Sequence, residues 1–547
     1  MKQQVERTDA GAKVGGEVSR RDFMLMTAAA AATLGFGGRE ALAAGTEAKS
    51  DLAFLTIAEA SRKIHAHEIT STELVTACIA RTKMLNPKVN AVITLMHEEA
   101  LAQAAQLDKE ARAGNFRGAM HGIPVALKDN IDTAGTRTTG GSAVYADRFP
   151  EEDAFVVKRL KANGAIILQK ANLQEFAMGG TSTSTYFRPV RNPWGLEYEA
   201  GGSSGGSAAA VMSDITIGAL GTDTGGSVRM PASICGIVGL KATYGLVSIH
   251  GIIPRTYSLD HCGPMTKTCE DNAILLNAMT GYDKWDVASV DHAKEDYVAA
   301  LRQPVSGFRV GVARVPFFDF LDPEVSAAME QAIGVLTGLT KSVKDMHLPT
   351  EGNFSRSYLD GEIEVIHRDL YARKAGSYSI SQRHQIEGAH KRLNDTSTET
   401  CGYKVVDYIQ AQWDLQILRK TIDDAFVDYD VVVLPTMRGL PLTVNAALAR
   451  EEGSGEGGGE EPASSSNTSE FNAYGIPSLT LPCGFSASGL PIGMMIVGPR
   501  FSEGKVLAMG HAYEQATEWH KKRPKLSADM AVPPIKRKGG TDLLGLR

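Results

Sequence analysis

Cysteine is scarce in this 547-residue sequence: six residues and no Cys-x-x-Cys pair, which excludes a disulfide-built scaffold. Long apolar runs are missing too, since none reaches the roughly 18–20 residues of a membrane span. Nor is there a surplus of positive charge. The 57 Lys and Arg are outnumbered by 63 Asp and Glu, a formal net charge of −6, so the electrostatic footprint of a nucleic-acid binder is absent. No His-Glu-x-x-His, clustered ligand set or dinucleotide fingerprint occurs, and no metal or cofactor is expected. What is present is a globular composition, 43% hydrophobic and 22% charged, on a chain long enough to bury a large core. Glycine is abundant, with 56 residues, partly in runs at 201–206 and 453–459.

Residues 1–43 read as an export leader. A polar stretch carrying Lys2, Arg7 and Lys13 leads to Ser19-Arg20-Arg21-Asp22-Phe23, then to an uncharged segment from Phe23 to Gly38, and Ala41-Leu42-Ala43 offers a small-residue cleavage point. Paired arginines directly before such a segment resemble a twin-arginine signal, which implies export of an already folded protein to the periplasm or beyond. The rival reading is a basic tail beside an ordinary apolar helix. Folding before export leaves the cysteines as expected buried thiols. Cys262 and Cys269 are the only near pair.

Further along, Thr70 and Glu73 predict a capping box at the head of a helix reaching about Met84, and a second helix is expected over His97–Ala113. Apolar segments of strand length follow at Ile123–Leu127, Ala165–Leu168 and Ile215–Ala219, with a helical pattern over Ala154–Ala162 between the first two. More short strands are expected at Phe308–Val312, Val431–Leu434, Leu479–Leu481 and Met494–Val497. This alternation argues for an α/β fold, a mixed central sheet covered by helices, in one large domain without internal repeats. The Gly-, Ser- and Glu-rich stretch 451–469 is expected to be a flexible surface loop or a lid.

The chemistry is concentrated between residues 121 and 268. Two glycine–serine clusters stand close together, Gly201-Gly202-Ser203-Ser204-Gly205-Gly206-Ser207 and Gly221-Thr222-Asp223-Thr224-Gly225-Gly226-Ser227. Neither is a phosphate loop, because no Gly-Lys-Ser/Thr follows. The first alone would pass for a linker, but it leads straight into the apolar Ala208-Ala209-Ala210-Val211. The second places glycines immediately before a serine, where backbone N–H groups can face an oxygen beside that hydroxyl, as acyl transfer requires. A serine nucleophile needs a base, and none of the 13 histidines sits in a diagnostic motif. Lys128 ends the apolar run Ile123–Leu127 and precedes Asp129-Asn130; a lysine there can act as the base if burial lowers its pKa.

Together these segments resemble the amidase signature family. His121–Asp129 is similar to its lysine motif, Arg191-Asn192-Pro193-Trp194 with Gly201–Ser207 to its first serine motif, and Gly221–Ala232 to its second. Cys235-Gly236, Gly239-Leu240-Lys241, Leu259-Asp260, Gly263-Pro264-Met265, Phe471-Asn472, Gly475-Ile476-Pro477 and Leu490–Gly493 continue the likeness, which runs from about 55 to 515. The resemblance implies an amidase signature domain over 44–530 with a C-terminal tail, 531–547. It implies a Ser–cis-Ser–Lys triad in which Ser227 is the nucleophile and Ser203, on a cis peptide bond, relays the proton to Lys128. Backbone N–H groups of Thr224, Gly225, Gly226 and Ser227 would form the oxyanion hole. Asp223 and Arg229 are expected as a structural ion pair, and Met178 and Gly179 as lining near the substrate carbonyl. Arg188 stands where members often carry glycine, adding a charge near the acyl pocket or pointing to solvent, and Ala242 replaces a common proline. The implied substrate is a small amide or carbamate, with no nucleic-acid partner.

Two other readings remain. Gly202-Ser203-Ser204-Gly205-Gly206 approaches the Gly-x-Ser-x-Gly elbow of α/β-hydrolases, with Ser204 as nucleophile, but Gly195–Glu199 makes a poor preceding strand. Ser502-Glu503-Gly504-Lys505 matches Ser-x-x-Lys without its companion motifs. Within the family, the amidotransferase component that supplies ammonia to mischarged tRNA shares the fold. It works in the cytoplasm with partner proteins, so the leader weighs against it.

Overall fold

The computed structural model describes residues 51–349, 357–394, 404–453 and 465–535. The leader expected over 1–43 lies outside them, as do most of the tail and the centre of the glycine-rich loop. Among the described residues there are thirteen strands: β1 (Val92–Leu95), β2 (Pro124–Lys128), β3 (Ile166–Ala171), β4 (Arg191–Asn192), β5 (Gly195–Glu199), β6 (Gly218–Asp223), β7 (Val238–Lys241), β8 (His261–Thr266), β9 (Arg309–Ala313), β10 (Ser342–Met346), β11 (Val431–Pro435), β12 (Ser478–Phe485) and β13 (Pro491–Val497). Eleven of them form one mixed sheet in the order β1-β3-β2-β6-β8-β7-β12-β13-β11-β9-β10, while β4 and β5 pair separately.

The middle of this sheet is covered on both faces, which is why its strands read as continuous apolar runs rather than alternating ones. Along β2, Val125 and Leu127 join the large core under the helices Ser71–Val89 and Cys269–Met279, whereas Ala126 points to the other face, into the cluster of Ala208–Met212, Val228 and Ala232. The same two-residue alternation sends Leu220 one way and Ala219 the other. Thr70 caps the helix Ser71–Val89 through the expected box: its hydroxyl accepts from Glu73 N, and the Glu73 carboxylate accepts from Thr70 N. No described helix is long and apolar enough to cross a membrane.

Two strand expectations need correction. The segment Ile215–Ala219 is not the strand; pairing starts at Gly218 and continues to Asp223, in register with Val125 of β2 and with His261 of β8. The shift has a physical cause. Gly218 lies so close to Ile57 that a Cβ there would meet its side chain at 2.8 Å, so small residues that read weakly as strand are what the packing admits. Gly195–Glu199, poor as a strand by pattern, is β5, held by its hairpin partner β4.

Candidate active site

β2 and β6 are parallel neighbours, with Leu127 opposite Leu220, so their carboxyl ends open at the same edge of the sheet. Lys128 is the last residue of β2, and Thr222 and Asp223 are the last of β6. The Gly201–Ser204 segment reaches this edge from the start of the helix Gly205–Met212. Ser227 lies in the turn between β6 and the helix Arg229–Cys235.

Lys128 is fully buried. Its Nζ donates to Ser203 Oγ at 2.7 Å and to Thr222 Oγ1 at 2.7 Å. Burial pushes its pKa down to about 7, against the opposing pull of Asp223 and Asp260. Asn130 Nδ2 donates to Thr222 Oγ1 at 3.2 Å, fixing the hydroxyl that holds the lysine. Sequence reading missed Thr222 and Asn130 as site residues, although both stand in or beside the quoted motifs. Their roles arise from strand adjacency, which motif spacing does not carry.

The Gly202–Ser203 peptide bond is cis. The Ser203 carbonyl accepts from Gln174 N at 3.1 Å and from Ser182 Oγ at 3.2 Å. A Cβ on Gly202 would sit 2.6 Å from backbone atoms of Gly180 and Thr181, so glycine is required by close approach. Ser227 is 7% exposed, and its carbonyl accepts from Ser204 N at 3.3 Å. Among the described residues no hydrogen bond joins Ser203 to Ser227. Ser204 has no surface exposure and turns its Oγ to the Thr222 carbonyl at 3.1 Å, an arrangement that buries the nucleophile of the elbow reading.

Asp223 and Arg229 form a bidentate, fully buried pair, with Nη2 to Oδ1 at 2.9 Å and Nε to Oδ2 at 3.0 Å. Burial would raise the Asp223 pKa, but the Arg229 charge and its hydrogen bonds, with Asn472, hold it well below the usual carboxylate range. The same carboxylate accepts from Gly226 N at 2.8 Å and Val228 N at 3.1 Å, tying the turn around Ser227. Gly226 therefore departs from its expected place in an oxyanion hole, because its N–H is already engaged. The N–H groups of Thr224, Gly225 and Ser227 have no acceptor among the described residues. Thr224 Oγ1 donates to Asp260 Oδ1 at 2.5 Å, and burial raises the Asp260 pKa to about 6.

Met178 is buried, and its carbonyl accepts from Gln382 Nε2 at 2.9 Å and Gln385 Nε2 at 3.1 Å. Gly179 packs on Gln174, which a Cβ would strike at 2.8 Å. Arg188 is not brought to the Lys128–Ser203 pair. It is exposed, its φ of 74° is the left-handed conformation that favours glycine, and its side chain borders a separate cavity with Ser184 and Tyr186. The surface-loop expectation for 451–469 also needs correction at both ends. Glu451 closes the helix Val444–Glu451 and accepts from Gln174 Nε2 at 2.9 Å, Thr181 Oγ1 at 2.5 Å and Ser184 Oγ at 2.5 Å. Thr468 is buried, donates to Gly225 O at 2.6 Å, and through its carbonyl accepts from Arg229 Nη1 at 2.8 Å. Cys78, Cys235, Cys262, Cys269 and Cys483 are free buried thiols, so the Cys262–Cys269 pair is unbridged.

A buried lysine hydrogen-bonded to a serine, beside a glycine turn that carries a second serine, is an arrangement suited to a serine hydrolase. The amidase family model, described as Amidase, matches residues 73–507, and the chain belongs to that family. Over 492 residues it is 38% identical to the A component of the Glutamyl-tRNA(Gln) amidotransferase of Geobacter sp. (strain M21), covering 86% of this chain and 99% of that protein. Among solved structures, the native peptide amidase of Stenotrophomonas maltophilia is 32% identical with a TM-score of 0.71, covering 85% of this chain and 97% of that one. A 6-aminohexanoate cyclic dimer hydrolase complexed with substrate is 27% identical with a TM-score of 0.76, covering 87% of this chain and 99% of that one.

Proposed function

We propose that this chain hydrolyses a carboxamide C–N bond through an acyl-enzyme on Ser227. The observation that carries the reading is Lys128, fully buried and 2.7 Å from Ser203 Oγ, with a pKa near 7. Neutral Lys128 accepts the Ser203 proton while Ser203 accepts that of Ser227, and Ser227 Oγ attacks the amide carbon. The N–H groups of Thr224, Gly225 and Ser227 face the developing oxyanion. The proton then returns through Ser203 to the departing nitrogen, which leaves as ammonia or amine, and water cleaves the ester by the same relay. The reading requires Ser227 Oγ to meet Ser203 Oγ, a link that is open in the structure. Asp223 and Arg229 hold the turn, and Met178 and Gly179 border the acyl group.

Two uses of this chemistry divide the support. The curated relatives, 36–38% identical along nearly their whole length, favour an amidotransferase component that releases ammonia for a partner. The Ser19–Phe23 leader and the peptide amidase likeness favour an exported, free-standing amidase. The deciding experiment measures ammonia or amine release from L-glutamine, benzamide, a peptide amide and an aryl carbamate, with and without glutamyl-tRNA and a lysate of the source cell. Turnover that disappears in Ser227→Ala supports the mechanism, and activity surviving that substitution sinks it. Glutamine turnover that rises only with glutamyl-tRNA and lysate assigns the amidotransferase role. Fractionation of cells carrying the full chain and an Arg20→Lys/Arg21→Lys variant tests export: periplasmic protein that vanishes in the variant supports the leader.

A further inference from the structure

Glu199 closes β5 with its side chain buried, only 3% exposed. Its carboxyl group accepts the Gly201 N–H at 2.5 Å, two residues ahead of Ser203. Gly201 also fits against the helix Arg229–Cys235 that follows Ser227, where a Cβ would meet Pro231 Cα at 2.6 Å. The residue that Glu199 holds is therefore in contact with the segments of both serines.

Three elements turn titratable groups toward Glu199, and none supplies a counter-charge. Arg191 of β4 stands opposite it in register, but that guanidinium donates to the carbonyls of Leu196 at 2.5 Å and Pro533 at 2.7 Å. Cys235 donates to the Ala200 carbonyl at 3.4 Å, and burial, with the Glu199 carboxyl beside it, keeps that thiol protonated. The third group is Glu451, at the end of the helix Val444–Glu451. Burial first, and then the Glu451 carboxylate, raise the Glu199 pKa to about 8 against the pull of the Gly201 hydrogen bond. Glu199 is then about nine-tenths neutral at pH 7 and almost wholly ionised by about pH 9.5.

The two carboxyl groups grip the same stretch of chain. Glu199 holds it through Gly201. Glu451 accepts from Gln174, Thr181 and Ser184, and the Ser203 carbonyl in turn accepts from Gln174 N and Ser182 Oγ. Two negative charges at these positions repel one another in a setting that water does not screen.

We propose that Glu199 is a positioning residue for the reaction: as the neutral acid beside Glu451 it holds the Gly201–Ser203 turn so that Ser203 Oγ stays on Lys128, and its ionisation drives the two carboxylates apart and draws Ser203 away. The proposal rests on the reading of Ser203 as the proton relay to Ser227. It adds an alkaline limb to the activity that neither serine nor Lys128 supplies.

The test follows the rate at which an alkyl fluorophosphonate labels the full chain between pH 6.5 and 9.5. The serine oxygen bonds to phosphorus, fluoride leaves and the serine proton passes to the relay, so no substrate need be known. Expected is a wild-type rate that falls threefold or more from pH 7.5 to 9.5. Glu199→Gln, which cannot ionise, should stay within about threefold of wild type at pH 7 and remain level to pH 9.5. Glu199→Ala should be slower by about tenfold at pH 7. Glu451→Gln removes the charge that keeps Glu199 neutral, so its fall should begin at lower pH. A merely structural glutamate would lower the rate without moving the limb. A wild type without the fall, a fall unchanged in Glu199→Gln, or a Glu199→Ala protein labelled at the wild-type rate overturns the proposal; where Glu199→Ala does not fold, the Glu199→Gln profile decides. Peptide mapping of the label separates this proposal from the mechanism it rests on. A Glu199-dependent fall with the label on another residue keeps the positioning role and removes the Ser227 assignment, a label on Ser227 with a fall indifferent to Glu199 does the reverse, and a chain that takes no label loses both.

Discussion

The pH dependence of the reaction follows from one buried amine. In the proposed mechanism Lys128 is neutral when it accepts the Ser203 proton, and burial, without a carboxylate in contact, lowers its pKa from 10.5 to about 7. The rate constant kcat/KM should therefore fall about tenfold per pH unit below 7, reaching about 1% of its plateau at pH 5. Asp260, whose own pKa is raised to about 6, is one of the two carboxylates that pull Lys128 upward, so Asp260→Asn should move the acidic limb to lower pH. Stability supplies a check that needs no substrate. Between pH 7 and 10.5 the unfolded chain binds a proton that the folded chain has released, so Lys128 makes stability rise with pH across that window. Denaturant titrations at pH 7.5 and 9.5 should show wild type gaining about 2.7 kcal/mol relative to Lys128→Met. A flat kcat/KM profile from pH 5 to 8, or identical pH dependence of stability in the two proteins, would refute a neutral lysine base.

Four further perturbations act on separate parts of the site. Thr222→Val removes the hydroxyl that receives Lys128 Nζ at 2.7 Å, and kcat should drop roughly 10- to 100-fold with KM little changed, read by steady-state kinetics. Asp223→Asn strips the charge from a pair with no solvent exposure and should cost about 3–5 kcal/mol, seen as a lowered denaturation midpoint, since Arg229 is left buried and uncompensated. Gly202→Ala forces a Cβ to within 2.6 Å of the Gly180 and Thr181 backbone, so the protein should lose activity even where circular dichroism shows it folded. Glu451→Gln weakens the hydrogen bonds to Thr181 and Ser184, whose segment also carries Ser182; the expected result is a several-fold fall in kcat that a stability curve does not explain.

How much could be read beforehand depended on whether the information was local. Glycine clusters announce themselves because the constraint is on the residue itself: Gly206, for example, lies so near the Asn172 and Ala91 carbonyls that a Cβ would meet them at 2.2 and 2.5 Å. The apolar runs around Lys128 and Val431–Leu434 gave strands because both faces are covered, whereas Gly218–Asp223 was displaced by the pattern, as small residues carry little apolar signal.

By itself, the chain's order of residues determined the family and the α/β class, and it singled out Lys128, Ser203 and Ser227, the residues of the proposed mechanism. The tertiary structure decided what surrounds them. Lys128 meets Ser203 across 75 residues of sequence and Thr222 across 94, distances over which no spacing rule operates. The fold also engaged the Gly226 N–H with Asp223, turned Ser204 away from solvent, and carried Arg188 to a cavity beside Arg383. The physical reason is common to all of these. Burial, pKa and hydrogen-bond partnership are properties of a neighbourhood, and a neighbourhood exists only once β2 and β6 lie side by side.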